Sequence, residues 1–75
     1  MSMIGGARKT ERGFERIDFV DFYDVPCSLQ QSSLATEDAV WLGQGAYRMH
    51  LNREHVAELI TVLQRWVDTG SFVAE

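Results

Sequence analysis

The segment Arg48-Met49-His50-Leu51, running into Asn52 through Gly70, leaves this chain few folds to choose from. Apolar residues fall at Val56, Leu59, Ile60, Leu63 and Val67, the spacing of one helical face, and no other stretch is as long or as periodic. Asn52 suits the N-cap, because its side-chain oxygen can accept from the orphan amides of the first turn. Glu54 puts negative charge at the positive end of the helix dipole, and Gly70 supplies a left-handed stop. Asp68 sits at the unfavourable end, a small penalty. A one-sided helix needs a surface to cover, and the preceding chain reads as the sheet that provides it.

That sheet is legible in alternation. Phe14 to Tyr23 alternates for most of its length, with Ile17 and Phe19 on one face and Arg16, Asp18, Val20 and Phe22 on the other. Asp24-Val25-Pro26 reads as a tight turn into a returning strand, Cys27 to Ser33. Leu34 to Asp38 is a connection, Ala39 to Gly43 a short apolar strand, and Gln44-Gly45 the turn into Ala46 to Leu51. The expected fold is α+β: a small antiparallel sheet of about four strands, ββββα, with one C-terminal amphipathic helix packed on one face. Residues 1–13, polar and carrying Gly5, Gly6 and Gly13, read as a flexible N-terminal tail; residues 14–75 form a single compact domain.

The pattern gives the two faces different characters. Leucine and valine of the helix would meet Ile17, Phe19, Leu29, Val40, Leu42, Met49 and Leu51. The opposite face would carry Ser28, Gln30, Ser32, Trp41, Arg48 and His50. An aromatic platform, a forked cation and neutral hydrogen-bonding groups are the parts of a site for a planar, anionic small molecule such as a nucleotide. A solvated sheet face is the plainer reading of the same residues. The expected ligand residues are Arg48, His50, Trp41, Gln30, Ser32 and Ser33.

Seventy-five residues with 45% hydrophobic content make one domain, near the size at which a single core only just suffices. The one cysteine, Cys27, allows no intrachain disulfide, so association is the natural supplement and a homodimer is expected. Trp66, Val62 and Phe72 lie at or beyond the edge of the helical stripe and are the candidate interface residues; a wide stripe closing the core would use them equally well. A net charge of −4 argues against general affinity for nucleic-acid backbone. The single thiol fits a reducing cytoplasm, and no apolar run approaches the roughly 18 residues of a spanning helix.

Catalysis finds little support. No P-loop, HExxH or paired-cysteine spacing occurs. Cys27 with His50 could in principle pair a nucleophile with a base, but an inert packed thiol is the commoner role. His50 and His55 straddle a strand–helix junction, poor geometry for a metal pair. Asp21 and Asp24 could bind a cation, although near a turn they more often cap amides. Neither a catalytic residue nor a metal nor a cofactor is expected.

Phe22-Tyr23, Cys27-Ser28-Leu29-Gln30, Ser32-Ser33-Leu34-Ala35-Thr36-Glu37-Asp38, Trp41-Leu42-Gly43 and Arg48-Met49-His50-Leu51, with the helix that follows, resemble a group of small phage and prophage proteins of mostly unassigned function. The resemblance covers roughly residues 14 to 70. Two positions depart from it: Asp24 stands where glycine is common, and Gln31 where lysine is common. It implies a compact accessory protein of a phage, not an activity. By analogy such a protein acts by binding, and the first expectation is a non-enzymatic homodimer in the host cytoplasm that counters host defence by sequestering a nucleotide-like signal. The alternative is a protein–protein inhibitor, of anti-CRISPR type, presenting Asp18, Asp21, Glu37 and Asp38 to a basic channel. A structural or regulatory phage module comes third, and a hydrolase using Cys27 last.

Overall fold

The computed structural model describes residues 4–34 and 36–73. Five strands, β1 (Arg8–Lys9), β2 (Glu15–Val20), β3 (Pro26–Gln31), β4 (Ala39–Gln44) and β5 (Tyr47–Asn52), form one antiparallel sheet in chain order, and α1 (Arg53–Thr69) follows. The architecture is α+β, as alternation and helical periodicity require. It has one strand more than expected. Arg8 and Lys9, inside the stretch read as a tail, pair with Arg16 and Glu15, and Ile4 bridges to Phe19. A two-residue strand of arginine and lysine carries no apolar alternation, so its pattern could not announce it.

Local chemistry explains the turns. Asp21 accepts from the amides of Tyr23 (2.8 Å) and Val25 (3.0 Å), capping the β2–β3 turn, while Asp24 adopts φ 62°. Aspartate tolerates that left-handed conformation, so its place there costs little. Between β4 and β5 the loop is Gly45-Ala46, with Gln44 opposite Tyr47. Positive φ at Gly45 and not at Ala46 is the pattern of a type II′ turn, whose twist suits a hairpin.

Gly43 has a stricter role. It lies opposite Arg48 with φ 153°, and a Cβ there would stand 2.5 Å from the Tyr47 carbonyl oxygen and 2.8 Å from Arg48 Cα. Only glycine allows β4 and β5 to approach this closely.

Asn52 ends β5 and caps α1, so no loop residue separates strand from helix. Its side chain accepts from the His55 amide (2.9 Å), and His55 Nδ1 accepts from the Asn52 amide (3.1 Å), a reciprocal capping box with histidine in the usual glutamate position. At the other end Gly70 adopts φ 78° and donates its N–H to Trp66 O at 2.7 Å. Both caps match the sequence expectation.

The relation between helix and sheet is looser than expected. Ile17, Leu29, Leu42 and Met49 stand in one row across β2 to β5, with Val40 and Leu51 beside them on the same face. The helix packs chiefly against β5. Val56, Leu59 and Val62 are half-buried, but Ile60, Leu63 and Val67, three of the five residues of the expected core stripe, are 61%, 52% and 69% exposed. Among the described residues no apolar side chain is fully buried; the one buried residue is Ser28. No described helix is long and apolar enough to cross a membrane.

Two outcomes test this account. Gly43→Ala forces β4 away from β5 and is expected to lower stability by at least about 2 kcal/mol, read from urea unfolding; an unchanged midpoint would show that the close approach is not needed. The second concerns β1. Asp18 accepts from Arg8 (2.6 Å) and Arg16 (3.1 Å), and these hydrogen bonds hold its carboxyl below the ordinary value of 3.8. Because the folded state has the lower value, the contribution is complete above the ordinary one and is lost as pH falls through the folded one. Below about pH 4 the Gly5 and Thr10 amides, bonded to Asp18 O and Phe14 O, should lose hydrogen-exchange protection before the β3–β5 ladders do.

Candidate ligand-binding face

Register assembles the polar face in rows. Arg8, Arg16, Gln30, Trp41 and His50 stand opposite one another across all five strands. The next row is Asp18, Ser28, Gly43 and Arg48. Period-2 alternation puts these residues on the face opposite Leu29, Leu42 and Met49.

Trp41 is the centre of the arrangement. The His50 imidazole lies over its indole with centroids 4.0 Å apart and planes 20° from parallel. The ring is held on its far side, where His50 Nε2 and Ser32 Oγ are 2.9 Å apart. From the neighbouring row the Arg48 guanidinium approaches the indole to 5.4 Å, within cation–π range. Arg48 stands opposite Gly43, the position where β4 and β5 come closest.

An open cleft of about 360 Å³ borders this cluster, lined by Gln30, Ser33, Trp41 and Arg48 together with Thr10, Arg12 and Phe14 of the first hairpin. Four of the six expected ligand residues therefore share one cleft. The other two, His50 and Ser32, do not line it; His50 stacks on Trp41 and is itself held by Ser32. Gln30 Oε1 accepts from Arg16 (3.1 Å), leaving its amide nitrogen without a protein partner among the described residues.

Arg12 was not anticipated. The Thr10–Gly13 turn, closed by Gly13 N–H donating to Thr10 O at 2.9 Å with Gly13 at φ 86°, carries it to the cleft, and its guanidinium lies 5.8 Å from the Phe14 ring. The glycine three residues after Thr10 was the available signal for a hairpin. Arg12 and Arg48 make no ion pair among the described residues, and Glu11 is the one carboxylate at the rim. A chain of net charge −4 thus gathers Arg8, Arg12, Arg16 and Arg48, four of its seven basic residues, on or beside one face. Gln31 uses its Oε1 to accept from the Glu15 amide at 2.8 Å.

The other candidates are drawn elsewhere. Asp18 is held by Arg8 and Arg16, and Asp21 caps its turn. Asp38 accepts from Arg53 (3.0 Å) and Glu37 from Asn52 (3.0 Å), so all four carboxylates of the acidic-surface alternative have internal partners. Cys27 lies on the apolar face, its Sγ 3.4 Å from Val25 O, and His50 lies on the polar one, so these two do not form a nucleophile–base pair. His55 is committed to the helix cap. Of the interface candidates, Val62 is half-buried, while Trp66 and Phe72 are 51% and 58% exposed. This chain matches no family model, no curated protein and no solved structure.

Proposed function

We propose that the chain is a non-enzymatic binding protein that captures a small, planar, anionic ligand of nucleotide type on the polar face of its sheet. The observation that carries this reading is Arg48: a guanidinium without a carboxylate partner among the described residues, standing over an indole at the rim of a cleft that also receives Arg12. Arg48 and Arg12 would pair the phosphate, which suits a planar fork of donors. The exposed part of Trp41 would stack a base, with His50 and Ser32 fixing its orientation. Gln30 and Ser33 would read the ligand's edge. The cleft volume lies in the range of small-molecule sites. In the phage setting that the resemblance implies, capture in the host cytoplasm would deprive a defence system of its signal. The acidic alternative loses ground because two of its four carboxylates, Asp18 and Asp38, are already in internal ion pairs.

The test is native mass spectrometry of protein taken directly from cells, followed by calorimetric titration with nucleoside monophosphates and cyclic dinucleotides. A retained mass of nucleotide size, or heat from one of these probes, is expected. Arg48→Ala should weaken that binding about 10- to 100-fold, the worth of a charge-assisted hydrogen bond. The ligand-free melting temperature should hardly move, because no ion pair is broken. Full affinity in Arg48→Ala, or no ligand from either approach, would discard this reading.

A further inference from the structure

The apolar face and the helical stripe are only partly covered among the described residues, and their extent points to what covers the rest. A compact monomer of 8.5 kDa exposes about 4,700 Å²; this chain exposes 6336 Å². Its radius of gyration is 14.0 Å, against about 11 Å for a compact domain of this length. The excess area is about 1,700 Å² per chain, or about 3,400 Å² for a pair, within the span of obligate homodimer interfaces. An open space of about 490 Å³ separates Val56, Ala57 and Ile60 of the helix from Phe14, Val40 and Leu51. Beyond it Leu63, Trp66 and Val67 are exposed.

We infer that the occupant is a second copy of this chain, and that the two form an obligate twofold dimer. The helix of each copy lays Ile60, Leu63, Trp66 and Val67 across the Ile17-Leu29-Leu42-Met49 row of the other. The chain carries one partly covered sheet face and one helical stripe with Ile60, Leu63 and Val67 exposed, so a twofold axis satisfies both at once in equal number. A foreign partner would have to bring its own helix and its own sheet. The direct junction at Asn52 keeps the helix beside β5, the strand it chiefly packs against, and leaves Ile60, Leu63 and Val67 exposed. A chain with no buried apolar residue among those described also needs a partner present whenever it is made, and a sister copy always is. The interface differs from a helix-edge contact through Trp66, Val62 and Phe72 alone, because the central stripe and the sheet face take the larger part. It lies on the face opposite the cleft, so it stands or falls independently of any ligand.

Sedimentation velocity on the full chain, with thermal unfolding over a hundredfold range of concentration, tests this. Twice the chain mass is expected, with a melting temperature that rises with concentration. Leu63→Glu should lose the dimer and cooperative unfolding together, whereas Phe22→Glu, at an aromatic 91% exposed in the β2–β3 turn, should lose neither. In a Cys27→Ser background, differently tagged Leu63→Cys and Leu42→Cys chains should cross-link to one another on oxidation. A monomer with a concentration-independent melting temperature overturns the proposal. So does an assembly that survives Leu63→Glu, or one in which that cysteine pair never joins.

Discussion

The pairing of β4 with β5 governs the rest of this structure. Leu42 opposite Met49 puts the apolar row on one face, and in the same stroke Trp41 opposite His50 and Gly43 opposite Arg48 compose the polar one. A slip of β5 by one residue would turn Arg48 and His50 into the apolar face and carry Met49 and Leu51 to the polar one. Two local features hold the register: the two-residue turn at Gly45-Ala46, and the bare backbone at Gly43, where no side chain larger than hydrogen fits. The His50–Trp41 stack and the Arg48 approach follow from that pairing.

The elements differ in what positions them. The β2–β3 turn and the helix caps are held by short-range hydrogen bonds from Asp21, Asn52 and His55, each within four residues of its partner. Contacts such as Arg8–Asp18 and Arg53–Asp38 are exposed ion pairs, which contribute little individually but occupy the chain's carboxylates. Two of the cations without an ion pair among the described residues, Arg12 and Arg48, lie at the cleft beside Trp41. The sign of the cleft is set by which acidic groups the fold has used elsewhere, not by the net charge.

Face membership was readable from the chain because a strand's period of two is rigid: Gln30, Ser32, Trp41, Arg48 and His50 could be grouped without any coordinates. The caps at Asn52 and Gly70 were readable because capping is local. What could not be read was non-local. The division of the six expected ligand residues into four that line the cleft and two that do not depends on register, and Arg12 depends on a hairpin whose first strand is two charged residues. Gly43 reads as the end of a strand until β5 is laid against it. The partial cover of the apolar stripe was hidden as well, since periodicity reports that a face must be buried and not against which sheet.

Strict alternation also has an evolutionary side. Neighbouring residues on β3, β4 and β5 belong to opposite surfaces, so Gln30 lies between Leu29 and Gln31, and Trp41 between Val40 and Leu42. One surface can drift by single substitutions while the other is kept under purifying selection. Single substitutions at positions 30, 41 and 48 therefore alter the polar side of the sheet and leave its hydrophobic side as it is.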